Sequence, residues 1–475
     1  MKRIIFFLST ILSVVILTSC NDDDSFSSSK SNLLSFSADT VYMDTVFSKV
    51  PSSTRTFWVH NNSSDGIRIS SIKLAQGNQT GFRVNVDGTD ITTTGYQTNN
   101  VDIRKGDSIR VFVELTSNST NETAPQKLED NLVFTLESGN TQKVNLNAWS
   151  WDAISMKNHE FKKDTTISSS KPIVVYGGLK VDSGVTVRIQ GGTAIYFHDG
   201  AGISVYGTLK SVGDSTAFVT MRGDRLDNMF DYLPYDMVSG QWKGLHFYSS
   251  SQNNEIRFTD IHSANDGIVC DSSSVNGIKL DLSNSIIHNC KGAGLYSYLC
   301  QINISNCQIT NTLGDCVAVY GGKATINNTT MAQFYPFDAE RGVALRFSNT
   351  YNSFAYPLTL ISVVNSIITG YADDELQGSK SDTGGDFNYL FDHCLICTPK
   401  NEKDSMMTHI IWESPDSTVA QNKNFRKIDT ENLRYDFRLD SLSKAINAGN
   451  VNTSLEIDLK GKKRDKTPDM GCYEY

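Results

Sequence analysis

Between residues 258 and 392, an apolar residue followed two positions later by Asn or Asp keeps returning. The pairs are Phe258/Asp260, Leu282/Asn284, Ile304/Asn306, Ile326/Asn328, Val363/Asn365 and Leu390/Asp392. The first three intervals are 24, 22 and 22 residues, and the last two lengthen to 37 and 27. A period near 22 with no helical segment is one coil of a β-helix, a solenoid of parallel strands. A leucine-rich repeat shares the period, but its LxxLxLxxN frame is missing. A coil buries its inward face only by stacking on its neighbours. The recurring Asn is expected at a corner, with its amide bonded to the Asn or the backbone of the next coil.

The same logic extends upstream. Val175, Leu179 and Val181, then Val185, Val187 and Ile189, then Ile195 and Phe197, then Ile203, Val205 and Leu209 form short alternating runs between glycine corners. The solenoid is expected over residues 154–434, with residues 435–475 as a polar, aromatic cap over its open end. Residues 222–241 interrupt it as an inserted loop, and insertions in repeats map to one face.

Residues 34–153 read differently. "STRTFWVHNNSSDGIRISSIKL" sets Phe57 and Val59 against Thr56, Trp58 and His60, then turns at Asn61–Gly66 into Ile67 and Ile69. Further alternating runs follow, including one folded back at Ser138-Gly139-Asn140. Short strands at this spacing over about 120 residues indicate a β-sandwich.

The N-terminus carries Lys2 and Arg3, an apolar run from Ile4 to Leu17, and Leu17-Thr18-Ser19-Cys20. This is a lipoprotein signal peptide over residues 1–19, with Cys20 as the acylated residue. An acidic and Ser-rich linker follows over residues 20–33. The formal charge of -9 becomes -11 without Lys2 and Arg3, and basic runs are absent, so nucleic acid is excluded as a partner. The other eight cysteines match no zinc spacing and are expected to be small buried hydrophobes. No metal ligands are assigned.

Several motifs together resemble a known group of proteins. Asn21-Asp22-Asp23-Asp24 after Cys20 resembles the surface-export signal of Bacteroidetes lipoproteins. "GFRVNV" and "GDSIRVFVEL" resemble the immunoglobulin-like modules that precede their repeat domains. Asp458, Gly461, Arg464, Pro468, Asp469, Gly471, Tyr473 and Glu474 match a "DxxGxxR…PDiGAYEY" ending, with Cys472 in place of Ala. The coils resemble right-handed parallel β-helix proteins of the pectate-lyase-like class. The resemblance implies an all-β chain, an immunoglobulin-like β-sandwich followed by a right-handed single-stranded parallel β-helix. It also implies an outer-membrane lipid anchor facing the cell exterior, with a polysaccharide or a surface protein as partner. No cofactor is expected, and Ca2+ only if the chain is a lyase.

Catalysis on this fold needs converging carboxylates, with a base or a calcium ion in reach. The weak catalytic candidates are Asp260, His262, Asp266, Asp338, Glu340 and Arg341; Asp315, Asp392 and His393 are further acidic and basic positions. Asp260 and Asp392 fall on the Asn/Asp repeat and read first as corner residues. Asp373-Asp374-Glu375 reads as a solvated loop. In the insertion, Asp224, Asp227, Asp231, Tyr232, Tyr235, Asp236 and Trp242 are candidate ligand contacts. The insertion reads first, however, as a coil-spanning structural loop, with Asp224 paired to Arg225 and Trp242 packed where the solenoid resumes. Esterase, metalloprotease and nucleotide motifs are absent. Two functions remain open: a non-catalytic, glycan- or protein-binding surface lipoprotein, which is preferred, and a polysaccharide lyase or glycosidase.

Overall fold

The computed structural model describes residues 25–413 and 424–475. The signal peptide, Cys20 and the acidic stretch Asn21–Asp24 lie outside the described residues. The chain divides into two compact units between Asp152 and Ala153.

The first unit is a β-sandwich of two five-stranded sheets. One contains Arg55–His60, Ser108–Leu115 and Phe82–Val86; the other contains Thr40–Phe47, Thr141–Trp151, Gln126–Leu136 and Ile67–Leu74. Pairing is antiparallel except where Thr40–Phe47 runs parallel to Thr141–Trp151. Alternation places Phe57 and Val59 in the core with Phe82, Val111, Leu132, Phe134 and Leu146, and leaves Trp58 exposed.

The second unit is a parallel β-helix with three strands per coil, which we call faces A, B and C. One full coil runs Ile278–Ser283 (A), Ile286–His288 (B) and Leu295–Tyr298 (C). The next coil pairs with it in register as Gln301–Ser305, Gln308–Thr310 and Val317–Tyr320. Face A is a ten-stranded sheet; faces B and C belong to one eighteen-stranded sheet because the long strand Ile173–Val181 contributes to both. Inward positions stack like on like. Ile256, Leu282, Ile304, Ile326 and Val363 line face A, and Ile261, Ile287, Ile309, Met331 and Ile368 line face B, all essentially without solvent contact. At about 25 cal/mol per Å2 such continuous apolar stacking dominates the stability of the solenoid.

The corner between faces A and B turns through a left-handed residue: Asn284, Asn306, Asn328 and Asn365 have φ between 45° and 50°. Asn tolerates this conformation better than other non-glycine residues. Two sequence expectations are corrected here. The residues in register with these asparagines are Phe258 and His393, not Asp260 and Asp392. Coils of unequal length shift the phase of the repeat, so an apolar-x-Asp triplet marks the coil without marking the corner. Nor do the corner amides mainly link coil to coil. Asn284 donates to Asp458 O (3.2 Å), Asn306 to Ile457 O (2.6 Å) and Asn328 to Asp469 O (3.4 Å). Only Asn365 reaches a neighbouring coil, at Asn327 Oδ1 (3.3 Å).

Their acceptors belong to the C-terminal segment, which is a third correction. Residues 435–475 lie along the outer side of face B rather than over an open end. Phe437, Leu439, Ala445, Leu459, Met470, Cys472 and Tyr473 form one apolar cluster with Phe334, Ile367 and Leu395. Face B presents Ile286, Ile367 and Leu395 outward, and those apolar side chains require cover along the flank. The motif residues knit this strap together. Asp458 Oδ1 accepts from Lys460 N and Lys462 N, and Asp469 accepts from Asn447 N and Tyr475 N. Gly471 has φ +89°, and a Cβ there would lie 2.7 Å from Ile367 Cδ1 and Thr330 Oγ1. The eight cysteines after Cys20 are all buried.

Candidate functional site

An open groove of about 910 Å3 lies on face C of the first coils. Its side chains alternate outward from parallel strands. Lys180, Ser204 and His246 come from one register row, and Tyr206 and Tyr248 from the turns that follow these strands. The rings form a continuous stack: Tyr206 and Tyr248 are 4.2 Å apart at 10°, and His246 and Tyr248 are 4.0 Å apart at 10°. His246 Nε2 is held by Asp271 Oδ1 at 3.0 Å. Lys180 is fixed by Glu160 and by Asp182 (2.9 Å), with its ammonium 5.6 Å from the centre of the Tyr206 ring. The contacts of Lys180 and Lys162 hold the Glu160 carboxyl down at about 2.

Glycines give the groove its depth. Gly177, Gly178, Gly200, Gly202, Gly244 and Gly292 line it. Gly244 sits at φ +89°, where a Cβ would meet Asp266 O at 1.7 Å. Lys243, Lys291 and Asp266 supply polar groups beside the ring column, in which Tyr248 is stacked between Tyr206 and His246 and turns its edge to the groove. A cleft of this size with few placed polar groups suits an extended ligand with alternating apolar and hydroxylated faces.

Asp266 is the one weak catalytic candidate in the groove. Burial raises its carboxyl above the ordinary range, and its Oδ1 accepts from Ala293 N at 3.1 Å. It belongs to a ladder of carboxylates in the turns between faces B and C. Asp315 Oδ1 accepts from Val343 N (2.9 Å) while Asp315 pairs with Arg346 at 2.6 and 3.0 Å. Glu375 accepts from Ala372 N (2.8 Å) and Ala344 N (2.9 Å). Each carboxylate clamps a turn to backbone of the same or an adjacent coil. The solvated-loop expectation is therefore corrected for Glu375, which is fully buried, and burial pushes its carboxyl up to about 8. In the same tier, Asp338 Oδ1 accepts from Glu340 N, and Arg341 donates to Tyr335 O with its guanidinium 4.8 Å from the Tyr371 ring centre. These three residues form a local turn rather than a catalytic cluster.

The inserted loop lies over the outer side of face B. Arg225 pairs with Asp227 at 2.8 and 2.6 Å and sits 4.0 Å from the Tyr235 ring centre. Asp224 pairs with His198 Nδ1 (2.7 Å), which corrects the expected Asp224–Arg225 pair. Trp242 has no solvent contact and stacks on Phe197 at 4.1 Å and 6°, so it anchors the loop and is unavailable to a ligand. Asp231 and Tyr232 stand exposed at the hairpin tip, with Tyr232 stacked on Phe230.

Asp236 reaches back to the solenoid and meets a group that the sequence scattered over three segments. Its Oδ1 lies 3.0 Å from His262 Nε2 and also contacts Arg222. His262 Nδ1 lies 3.0 Å from Asp260 Oδ1, which is 3.4 Å from His288 Nε2. The two imidazoles stack at 4.6 Å. Parallel pairing puts His262 directly beside His288, a register that the sequence alone did not give. Despite burial, the histidines hold both carboxyls below the usual range, and the carboxylates raise the His262 imidazole to about 9. A second group, Asp392, His393 and His409, lies at the corner between faces A and B.

Residues 152–331 match a family model described as "right handed beta helix region". No curated protein matches the chain. Among solved structures, pectate lyase Pel9A is 13% identical over 68% of this chain and 88% of its own, with a TM-score of 0.29. The A-module of the mannuronan C-5 epimerase AlgE6 of Azotobacter vinelandii is 10% identical over 56% of this chain and 91% of its own (TM-score 0.26). A family 123 glycoside hydrolase from Clostridium perfringens is 6% identical with a TM-score of 0.18, and the match spans 27% of this chain and 30% of that hydrolase. The class is that of right-handed parallel β-helices. Likeness at this identity and TM-score carries no argument about activity.

Proposed function

We propose that this chain is a lipid-anchored, outward-facing lipoprotein of a bacterial outer membrane, of the Bacteroidetes type, that binds an extended glycan along face C without cleaving it. The observation that carries the reading is the Tyr206–Tyr248–His246 stack beside a glycine-floored groove. Sugar C–H groups pack on the edges of the ring column and on the outer face of His246, while hydroxyls meet the lysines and the Asp266 carboxylate. Asp266, Asp315 and Glu375 are engaged with backbone amides, which favours binding over chemistry. The Cys20 signal, the acidic stretch after it and the C-terminal motif support the anchor and the type of cell.

Affinity electrophoresis against a panel of neutral and acidic polysaccharides tests the groove. Retardation by at least one glycan is expected, and Tyr248→Ala should weaken it roughly 10-fold, in line with losing one aromatic contact and its neighbour's support. Tyr232→Ala at the exposed loop tip should leave it unchanged. Absence of retardation by any glycan, or equal loss in both variants, removes the reading. The raised carboxyl of Asp266 favours one alternative, general-acid cleavage. Release of reducing ends or unsaturated uronate, abolished by Asp266→Asn, would establish that alternative instead. For the anchor, Cys20→Ser is expected to move the protein from the detergent phase to the aqueous phase in Triton X-114 partitioning; unchanged partitioning would refute lipidation.

A further inference from the structure

We propose that Asp260, His262 and His288 form a binding site for one divalent transition-metal ion of the zinc type, with Asp236 as the outer carboxylate that orients His262. The site belongs to face B and is independent of the proposed glycan groove.

Three physical features carry this. The first is ligand convergence. Asp260 and His262 are two residues apart on one strand and therefore share a face, and the strand register places His288 beside His262. One ligand atom from each of the three lies within 4.8 Å of the others, and the measured Asp260–His262 and Asp260–His288 separations are 3.0 and 3.4 Å. Zinc bonds of about 2.0–2.1 Å imply tetrahedral ligand–ligand edges of roughly 3.3 Å. Rotation of the His288 ring out of its stack on His262 would turn both lone pairs, with the Asp260 carboxylate, onto one ion.

The second feature is the outer contact. Zinc-bound histidines commonly donate their other ring N–H to a carboxylate, which fixes the tautomer and raises ligand basicity. Asp236 stands 3.0 Å from His262 Nε2, so with the hydrogen on Nε2 the Nδ1 lone pair faces Asp260. Asp236 is itself positioned by Arg222 and by its own carbonyl, which accepts from Ser263 Oγ (3.0 Å). The inserted loop thereby supplies a support that no regular coil could.

The third is charge and access. His262 is protonated in the ion-free chain, so an ion displaces that proton; Asp236 and Asp260 then carry two negative charges against the one positive charge of Arg222, a net charge of -1 that favours a dication. The His262 side chain is 6% exposed, while Asp260 and His288 retain 29% and 22%, leaving an entry on one side. Three protein ligands leave a fourth position for water or a ligand. The Asp392–His393–His409 group lacks this support: His393 and His409 both direct Nδ1 at Asp392, and the His409 side chain is 68% exposed.

The test is titration of the mature chain with Co2+, followed by visible absorption, and with Zn2+ by calorimetry. One Co2+ per chain with tetrahedral ligand-field bands is expected, displaced by Zn2+, and Zn2+ should raise the melting temperature. His288→Gln and Asp260→Asn should each weaken binding at least ~100-fold, and Asp236→Asn ~10–100-fold, as for outer carboxylates at zinc sites. His409→Gln should have no effect. Circular dichroism and the metal-free melt of each variant confirm that it is folded; should either direct-ligand variant misfold, His288→Asn replaces it. Failure of the native chain to bind saturably overturns the proposal. So does binding that survives both direct-ligand substitutions, or that is lost in His409→Gln.

Discussion

Replacing Arg464 by Ala is expected to destabilise the solenoid unit by about 3–5 kcal/mol, the cost of leaving a buried charge without its partner. Arg464 is the hub of the C-terminal strap. Its guanidinium donates to Asp469 O (3.1 Å), Gly471 O (2.8 Å), Glu474 Oε2 (3.1 Å) and the corner amide oxygen of Asn306 (3.1 Å). The Arg464 and Glu474 side chains are only 2% and 6% exposed. Truncation would strand the Glu474 carboxylate and leave two carbonyls without these donors in an apolar setting. Lysine cannot make the same fork, so Arg464→Lys should recover less than half of the loss. Urea unfolding of the wild type and both variants measures the effect, and limited proteolysis should show early cleavage within residues 435–475. A variant with unchanged midpoint and protease resistance would mean that the strap is dispensable.

Stability should also fall as pH rises from about 4.5 to 9. Glu375 has a folded pKa of about 8 against an ordinary value of 4.5. Between those values the unfolded chain has released a proton that the folded chain still holds, so stability declines with pH across that window and levels off above 8. His262 acts in the same direction between 6.5 and about 9, because its protonated form is favoured by Asp236 and Asp260 in the fold. The Glu375 contribution alone is of the order of 3–5 kcal/mol, at about 1.4 kcal/mol per pH unit of separation. Thermal melts in chelator from pH 5 to 9 would record it. Glu375→Gln should cost about 1–2 kcal/mol at pH 5, since an amide nitrogen replaces one of two acceptors. Its melting temperature should then decline far less between pH 5 and 7.5. A native profile that is flat over this range, or an equally steep variant, would contradict the burial argument.

The two pH-sensitive groups illustrate what was legible in the sequence. Asp236, Asp260 and His262 were individually visible as acidic or basic residues in suspicious stretches, yet nothing local indicated that they meet. Glu375 looked like part of a charged loop because its neighbours Asp373 and Asp374 are charged; only the turn that closes over it makes it a buried acid. The ring column of Tyr206, His246 and Tyr248 was missed outright. Each is an ordinary residue in its own coil, and the stack exists only because coils interrupted by a 20-residue insertion still align.

By itself the sequence determined the architecture: alternation with period two, glycine and asparagine corners, and a recurrence near 22 residues leave a parallel solenoid as the way to bury those side chains. These signals are short-range, because which side of a strand faces the core is decided by the strand's own neighbours. Tertiary structure alone decided which residues face one another across coils and that the C-terminal motif straps a flank, while the packing of Trp242 was already legible in the sequence. Those outcomes depend on the phase between coils of unequal length. The 26 residues from Phe258 to Asn284, against 22 from Asn284 to Asn306, move Asp260 from an apparent corner into a cluster with two histidines.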